Sequence, residues 1–362
     1  MARRPNKGDE EKLISAMVIA DKSTVDLQAA YRFLQSLMEL RKSTKLEKTY
    51  INGTRKAMEY NGEDKIYVDY RIDGTVTGRL SCAAYTAKKP MGVSFHTLPR
   101  ETTHNIRSMY LAPPGWVFIT ADYSAMELRI LAHISKDTNM QRAFRNQEDL
   151  HTYTARLLFN KQDITKLERQ IAKTVSFLIV YGGGAFNLSA QMNISMARAE
   201  AIIENYRKVY PGVFEYMEFI NEYVKENEYA YSLFGRRRNL PNVRSTDFKV
   251  HNGALRQGLN FTVQSPASDV LVCSLIAIEE RFAEEKMRGY PVATVHDSIE
   301  VVCPQEEKEI AMDIIYEEMT SYRKVKELFN IHLDVPLEIE MEVGTSFGNG
   351  VEVDLHARYA NC

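Results

Sequence analysis

Two carboxylates, Asp122 and Asp297, stand where apolar runs give out: Trp116–Ala121 before the first and Pro291–Val295 before the second. An Asp in such a place commonly forms a turn or caps a helix, and Asp122 could cap a helix starting near Ala125. As a pair they allow another chemistry. Hard carboxylate ligands on two strands of one sheet can bridge two Mg²⁺ ions about 3.5–4 Å apart. One ion would lower the pKa of an attacking hydroxyl, and the other would hold charge on a leaving phosphate. Sequence leaves open whether the two strands are neighbours. A second constellation, Arg169, Lys173, Phe177 and Tyr181, recurs every four residues. On a helix each such step advances about 40°, so the four form a slowly winding stripe about 18 Å long. The stripe is either an ordinary amphipathic face or a nucleotide site. Its order suits the second reading, with cations toward the N-terminus, where the helix dipole favours anions, and aromatics further on for a sugar and base. Arg256, Asn260 and Gln264 share one face of another helix, which by itself is an ordinary polar face.

The elements that must position these residues form an α+β pattern. Glu10 to about Lys45 reads as two helices, the second starting at Ser23-Thr24 with Leu27, Ala30, Tyr31, Leu34 and Leu37 as its apolar stripe. Lys65–Ile72 and Thr75–Leu80 flank Asp73-Gly74, the dipeptide of a two-residue hairpin. Trp116–Ala121 predicts a buried strand, followed by a helix to about Ser135. From Asp137 to about Asn252 the chain reads as mostly helical, with breaks near Gly182-Gly183-Gly184, Pro211-Gly212 and Gly235, and a further helix runs from Asn252 to Met287. Pro291–Val295 and Ile299–Cys303 predict two strands around His296-Asp297-Ser298. Leu337, Ile339, Met341 and Val343 alternate with Glu338, Glu340 and Glu342, so this strand has one dry and one wet face. Strands bracket a long helical insertion.

Composition constrains the class. The 362 residues are 26% charged and 44% hydrophobic, as in a globular protein with a sizeable core. No membrane span and no signal peptide are expected, which makes a cytosolic address the default. The net charge of -2 argues mildly against a nucleic-acid binder, although metal-holding carboxylates lower the sum. Cys82, Cys273, Cys303 and Cys362 lie far apart without a C-x-x-C pair, so packed, reduced thiols are expected rather than zinc.

Asp122-Tyr-Ser-Ala-Met-Glu-Leu-Arg-Ile-Leu-Ala-His133 closely resembles the first polymerase motif of the DNA polymerase I family, also called family A. Val295-His296-Asp297-Ser298 resembles the third motif, Thr77-Gly78-Arg79-Leu80-Ser81 matches another signature, and the Arg169–Tyr181 stripe is similar to the second motif. The likeness runs in the family's order from about Lys45 to Gly344. It implies a right-hand polymerase fold, with an antiparallel palm sheet and a large helical fingers insertion. The expected division is 1–50 residual thumb helices, 51–140 palm, 141–255 fingers and 256–362 palm again. The expected activity is template-directed addition of deoxynucleotides to a DNA primer, with primer-template DNA and dNTPs as partners. The expected cofactor is a pair of Mg²⁺ ions, with Mn²⁺ as a substitute.

By the same resemblance Asp122 and Asp297 hold the metals, with the Tyr123 carbonyl as a further ligand. Arg169 and Lys173 bind the triphosphate, and Lys173 also protonates the leaving pyrophosphate. Phe177 lies against the sugar, Tyr181 stacks near the templating position, and His151, in Asp149-Leu150-His151, reaches the phosphates. Glu127 excludes a ribose 2′-hydroxyl. Arg79 checks the minor groove at the primer end, Arg256, Asn260 and Gln264 contact template and primer, and His296 positions the primer terminus. Arg236-Arg237-Arg238 is assigned loosely to DNA phosphates. Two positions depart from the pattern. Ser298 replaces a Glu; Glu300, two residues on, shares the face of Ser298 in a regular strand, about 7 Å away, and either partly compensates or, as favoured here, is a solvated strand residue. Leu178 replaces a small residue.

Only about 45 residues precede the matched region, so most of the thumb and any exonuclease domain are expected to be absent. A separate chain could supply them. A trimmed form, a short viral or plasmid enzyme and half of a split polymerase all fit. The expected location is the cytoplasm of a bacterial or phage-infected cell, with an organelle left open. Two other readings compete. A single-subunit RNA polymerase shares a related palm, but Glu127 and Phe177 favour deoxynucleotides. A non-catalytic DNA-binding subunit would need no pair of metal ligands.

Overall fold

The computed structural model describes residues 25–72, 74–82, 92–100 and 105–359. The chain divides into two compact units, one of residues 1–69 with 83–106 and the other of 70–82 with 107–362. In the first, α1 (Val25–Lys45) continues through a π-helical turn, Leu46–Ile51, into α2 (Asn52–Asn61). Ala30, Tyr31, Leu34 and Leu37 are half-buried along α1, as their spacing predicts. The expected earlier helix, the Ser23-Thr24 start and the Leu27 side chain lie outside the described residues. The buried Tyr50 hydroxyl donates to the Thr97 carbonyl and ties the helices to the following loop.

The second unit opens with β1 (Tyr70–Arg71) and β2 (Ser81–Cys82), paired antiparallel with Tyr70 opposite Cys82. The predicted two-residue hairpin is therefore corrected: the strands are short, and the described residues 72 and 74–80 between them belong to a longer connection. Asp73 lies outside the described residues. The Tyr70 hydroxyl accepts from the Thr294 amide at 2.8 Å and donates to the Thr294 carbonyl at 2.5 Å, so the hairpin leans on the later sheet.

That sheet is built around β3 (Trp116–Tyr123). The helical insertion follows: α3 (Met126–Ser135), α4 (Thr138–Arg145), α5 (Leu150–Phe159), α6 (Lys166–Val180), α7 (Ala185–Met192), α8 (Met196–Val209) and α9 (Pro211–Asn227). A small hairpin, β4 (Tyr229–Tyr231) with β5 (Arg237–Asn239), turns at Gly235 inside the region read as helical. The long helix α10 (Phe248–Glu284) leads to β6 (Tyr290–Val295) and β7 (Ser298–Pro304). Then come α11 (Lys308–Ser321), α12 (Arg323–Phe329), β8 (Ile339–Gly344), β9 (Val351–Glu352) and α13 (Leu355–Tyr359). The five-stranded antiparallel sheet has the order β6-β7-β3-β8-β9. This bears out the expected α+β class with an antiparallel sheet.

Alternation along β3 gives the sheet two unlike faces. Val117, Ile119, Ala121 and Tyr123 are buried toward α10 and α11, and the Tyr123 hydroxyl bonds the Ser274 hydroxyl at 2.8 Å and the Met319 carbonyl at 2.9 Å. Thr120 and Asp122 point the other way. Opposite them in register stand Glu300 and Ser298 on β7 and Glu342 and Glu340 on β8. The predicted wet face of β8 is thus the face that carries Asp122.

The expectation of no apolar stretch long enough for a membrane is also revised. Helix α10 holds an 18-residue window of mean hydropathy 1.5, of which 83% is buried inside the protein. Its apolarity is that of a core helix enclosed by neighbours. Cys273 and Cys303 are buried free thiols and Cys82 is half-buried, while Cys362 lies outside the described residues.

Candidate active site

The two candidate metal ligands arrive from adjacent strands. Asp122 closes β3 and faces Ser298 across the β3–β7 ladder. Val295 pairs with Ser298, so only His296 and Asp297 form the β6–β7 turn. His296 takes the left-handed conformation (φ 60°), which a tight two-residue turn requires at its first position. The Tyr123 amide donates to the Asp297 carbonyl at 3.2 Å and fixes the turn against the end of β3. Asp122 is not the cap of α3. Ala125 holds that position in a left-handed conformation without a side-chain cap.

A polar cluster stands beside this turn. Arg79 donates to the Glu127 carboxylate and lies 4.0 Å from Asp297. Tyr181 donates to the other Glu127 oxygen at 2.8 Å. Glu127 is only 4% exposed, and that burial pushes its carboxyl up, while Arg79 and the Tyr181 hydroxyl pull it back. Burial also raises Asp297, again against the pull of Arg79 and then His296. Tyr181 is pushed up to about 12, first by burial and then by the Glu127 charge. It stays a neutral donor at physiological pH.

Helix α6 supplies the stripe. Thr165 and Glu168 close a reciprocal capping box at its start, each side chain accepting from the other's backbone amide. Lys173, Phe177 and Tyr181 then line a cleft of about 670 Å³, together with Arg256 from α10. Arg169 does not line it. Its guanidinium makes a two-pronged pair with Asp149, at 2.8 and 2.9 Å. Burial raises Asp149, but the bonds from Arg169 and Thr152 outweigh it and hold the carboxyl at about 2. His151 packs on Phe177 with ring centroids 5.9 Å apart. Burial chiefly lowers its pKa to about 4, so its ring is neutral at pH 7. His151 Nδ1 and Asn260 Oδ1 are buried without a hydrogen-bond partner among the described residues. Gly182 has φ +65°, and a Cβ there would meet Arg256 at 2.6 Å, so the cleft is closed where the backbone approaches this cation. Leu178 packs over Gly183, where a Cβ would come within 2.4 Å of its Cδ1.

Sequence reasoning missed two contributors, Arg129 and Asp149, and misjudged a third, Glu300. Arg129, buried at 3% exposure, donates to the Ser124 carbonyl, the Pro336 carbonyl and Glu338, and so joins the start of α3 to the chain entering β8. Asp149 caps α5 through the Thr152 amide while holding Arg169. Glu300 is fully buried, which corrects its reading as a solvated residue. An Arg or Glu inside an otherwise apolar strand or helix is the signal that could have found the first and third. The triple Arg is largely engaged within the protein: Arg236 pairs with Asp269, Arg237 stacks on Tyr229, and Arg238 bonds Gln257.

Residues 7–349 match the sequence profile of DNA polymerase family A. The chain is 33% identical over 319 residues to DNA polymerase I of Treponema pallidum (strain Nichols), covering 87% of this chain and 30% of that one. It is 32% identical over 321 residues to DNA polymerase I of Geobacillus stearothermophilus, covering 88% and 35%. Among solved structures it resembles the POL domain of Pol1 from M. smegmatis in complex with DNA primer-template and dNTP, with a TM-score of 0.81 and 26% identity. That match covers 96% of this chain and 56% of the other. With this fold and this site, the chain belongs to DNA polymerase family A. It spans about a third of the length of the curated relatives it matches.

Members of this family use divalent metal ions. The donors present fit such a cation: two carboxylates at adjoining ends of neighbouring strands, both oxygen ligands. The described residues hold no cluster of three or more His, Cys, Asp or Glu gathered as a cage. An open pair of carboxylates suits Mg²⁺, which commonly completes its shell with water and substrate phosphate.

Proposed function

We propose that this chain adds deoxynucleoside triphosphates to the 3′ end of a DNA primer, directed by a template strand. The observation that carries this reading is the placement of Asp122 and Asp297 at adjoining strand ends, with the Arg79–Glu127–Tyr181 cluster beside them. The proposed ligands are Asp122, Asp297 and the Tyr123 carbonyl. Two Mg²⁺ ions held there, or Mn²⁺ in their place, would activate the primer hydroxyl and hold charge on the leaving pyrophosphate.

The chain's own groups do the rest. Lys173 reaches into the cleft, where it would bind the triphosphate and deliver a proton to the departing pyrophosphate. Arg169 would exchange its Asp149 partner for phosphate oxygens. Neutral His151 would offer a hydrogen bond rather than a charge. Phe177 would support the sugar and Tyr181 would stand by the templating base. Arg79, Arg256, Asn260, Gln264 and His296 would hold primer and template, and the unpaired Asn260 Oδ1 is ready to accept from DNA. We assign residues 51–140 and 256–362 to the palm, 141–255 to the fingers and 1–50 to thumb helices. The setting is the cytoplasm of a bacterial or phage-infected cell.

Primer extension with the purified chain and Mg²⁺ tests the proposal. Asp122→Asn and Asp297→Asn should each abolish extension while DNA binding survives. A loss of several kcal/mol of transition-state stabilisation is about a thousandfold in rate. Near-normal extension by either variant would remove the two-metal assignment.

A further inference from the structure

Glu300 is completely buried, and the mechanism above does not use it. Each of its carboxyl oxygens meets a hydroxyl from a strand end that carries a proposed ligand. Thr120, two residues before Asp122, donates to Oε2 at 2.6 Å. Ser298, directly after Asp297, lies 2.6 Å from Oε1. The β3–β7 register places Thr120 opposite Glu300 and Asp122 opposite Ser298, so all four side chains share one face. Ser298 also lies 3.0 Å from the Val295 carbonyl, at the base of the two-residue turn. Thr120, Glu300, Ser298 and Val295 therefore form one continuous chain from β3 through β7 to β6.

Burying a carboxyl inside a sheet is unfavourable unless its bonds do something that an apolar side chain would not. Valine would fill this strand position with less desolvation. We infer that Glu300 is a positioning residue: through Thr120 and Ser298 it fixes the separation of Asp122 and Asp297. The inference rests on reading those two aspartates as cation ligands. The expected effect is that of other groups just outside a metal's ligands, roughly 10–100-fold in metal affinity.

Two substitutions separate positioning from packing. Glu300→Gln keeps an oxygen for Thr120 and an N–H for Ser298, whose hydroxyl can then donate to Val295. Glu300→Val removes both bonds. Mn²⁺ binding to the complex with primer-template DNA, titrated by electron paramagnetic resonance without nucleotide, reads the site independently of turnover. The Mg²⁺ concentration for half-maximal extension is measured alongside. Wild type and the Gln variant should agree within about threefold, and the Val variant should bind Mn²⁺ roughly 10–100-fold more weakly, with a parallel rise in the Mg²⁺ requirement. If Glu300→Val fails to fold, Thr120→Val removes one bond and leaves Glu300 in place; its Mn²⁺ affinity should fall in the same direction. A Val variant, or in its place a Thr120→Val variant, that binds Mn²⁺ like a working wild type overturns the inference alone. So does equal weakening in the Gln and Val variants. A wild type that neither binds Mn²⁺ nor extends a primer overturns the polymerase reading, and the inference with it.

Discussion

At the scale of single residues, Glu127 and Glu300 show how enclosure turns a surface side chain into a specific instrument. Glu127 is held by Arg79 and Tyr181; in its proposed role beside the sugar, those bonds would keep it from swinging aside for a ribose. A repulsive element of this kind discriminates by excluding the wrong partner. Glu127→Ala should raise ribonucleotide incorporation relative to deoxynucleotide incorporation, with a smaller loss of deoxynucleotide activity. The ratio of kcat/KM for matched ribo- and deoxynucleotides checks this, and an unchanged ratio would take Glu127 out of sugar selection. Glu300 makes a prediction about pH. Burial raises its pKa from 4.5 to about 7, against the pull of Ser298 and Thr120. The folded protein therefore favours the neutral carboxyl. That contribution is whole below pH 4.5 and is lost as the pH climbs to about 7, at a cost of about 3 kcal/mol. In EDTA, Glu300→Gln should gain stability relative to wild type between pH 4.5 and 8. Urea unfolding at both ends of that range measures the difference, and parallel curves would show that Glu300 ionises freely in the fold.

At the scale of elements, helix α6 depends on its first turn. The Thr165–Glu168 box fixes where the helix begins and so where Lys173, Phe177 and Tyr181 emerge around its axis. Thr165→Ala should cost about 1 kcal/mol of stability and raise KM for the nucleotide more than it lowers kcat. Steady-state kinetics beside thermal unfolding would show it, and a kcat loss at constant KM would contradict it. This helix and β8 were legible in the sequence because each carries one strong period, four for the stripe and two for the strand, and β3 was legible as an unbroken apolar run. The β1–β2 hairpin was not. Asp73-Gly74 suggested a tight turn, but pairing is set by where Tyr70 can reach Thr294, far along the chain. The β4–β5 hairpin was hidden because three-residue strands carry too little period to stand out. The site was legible in its residue types and not in its partnerships. Nothing local announces that Asp149 will hold Arg169, or that Glu300, on the face of Ser298 by its spacing, will be buried.

At the scale of the whole sheet-bearing unit, α10 is the common support. It packs against α3, α6, α9, α11, α12, β4, β6 and β7, and its residue Ile278 is fully buried. Ile278→Ala should cost about 2–5 kcal/mol. The loss should appear equally in far-ultraviolet circular dichroism and in the fluorescence of Trp116, the single tryptophan, at the start of β3. Separate transitions by the two probes would mean that helices and sheet unfold independently. The strand order has a further consequence for how the protein is made. Strand β3 pairs with partners far along the chain: Thr120 meets Glu300 180 residues later on β7, and Asp122 stands opposite Glu340 on β8. The insertion between them consists of helices with local contacts, which form early, whereas long-range strand pairing is slow. On the ribosome β3 must wait, with both hydrogen-bonding edges open, until β7 and then β8 emerge. A nascent chain stalled in the insertion is therefore a sticky, siteless intermediate, and the two aspartates first meet only when synthesis has passed residue 297.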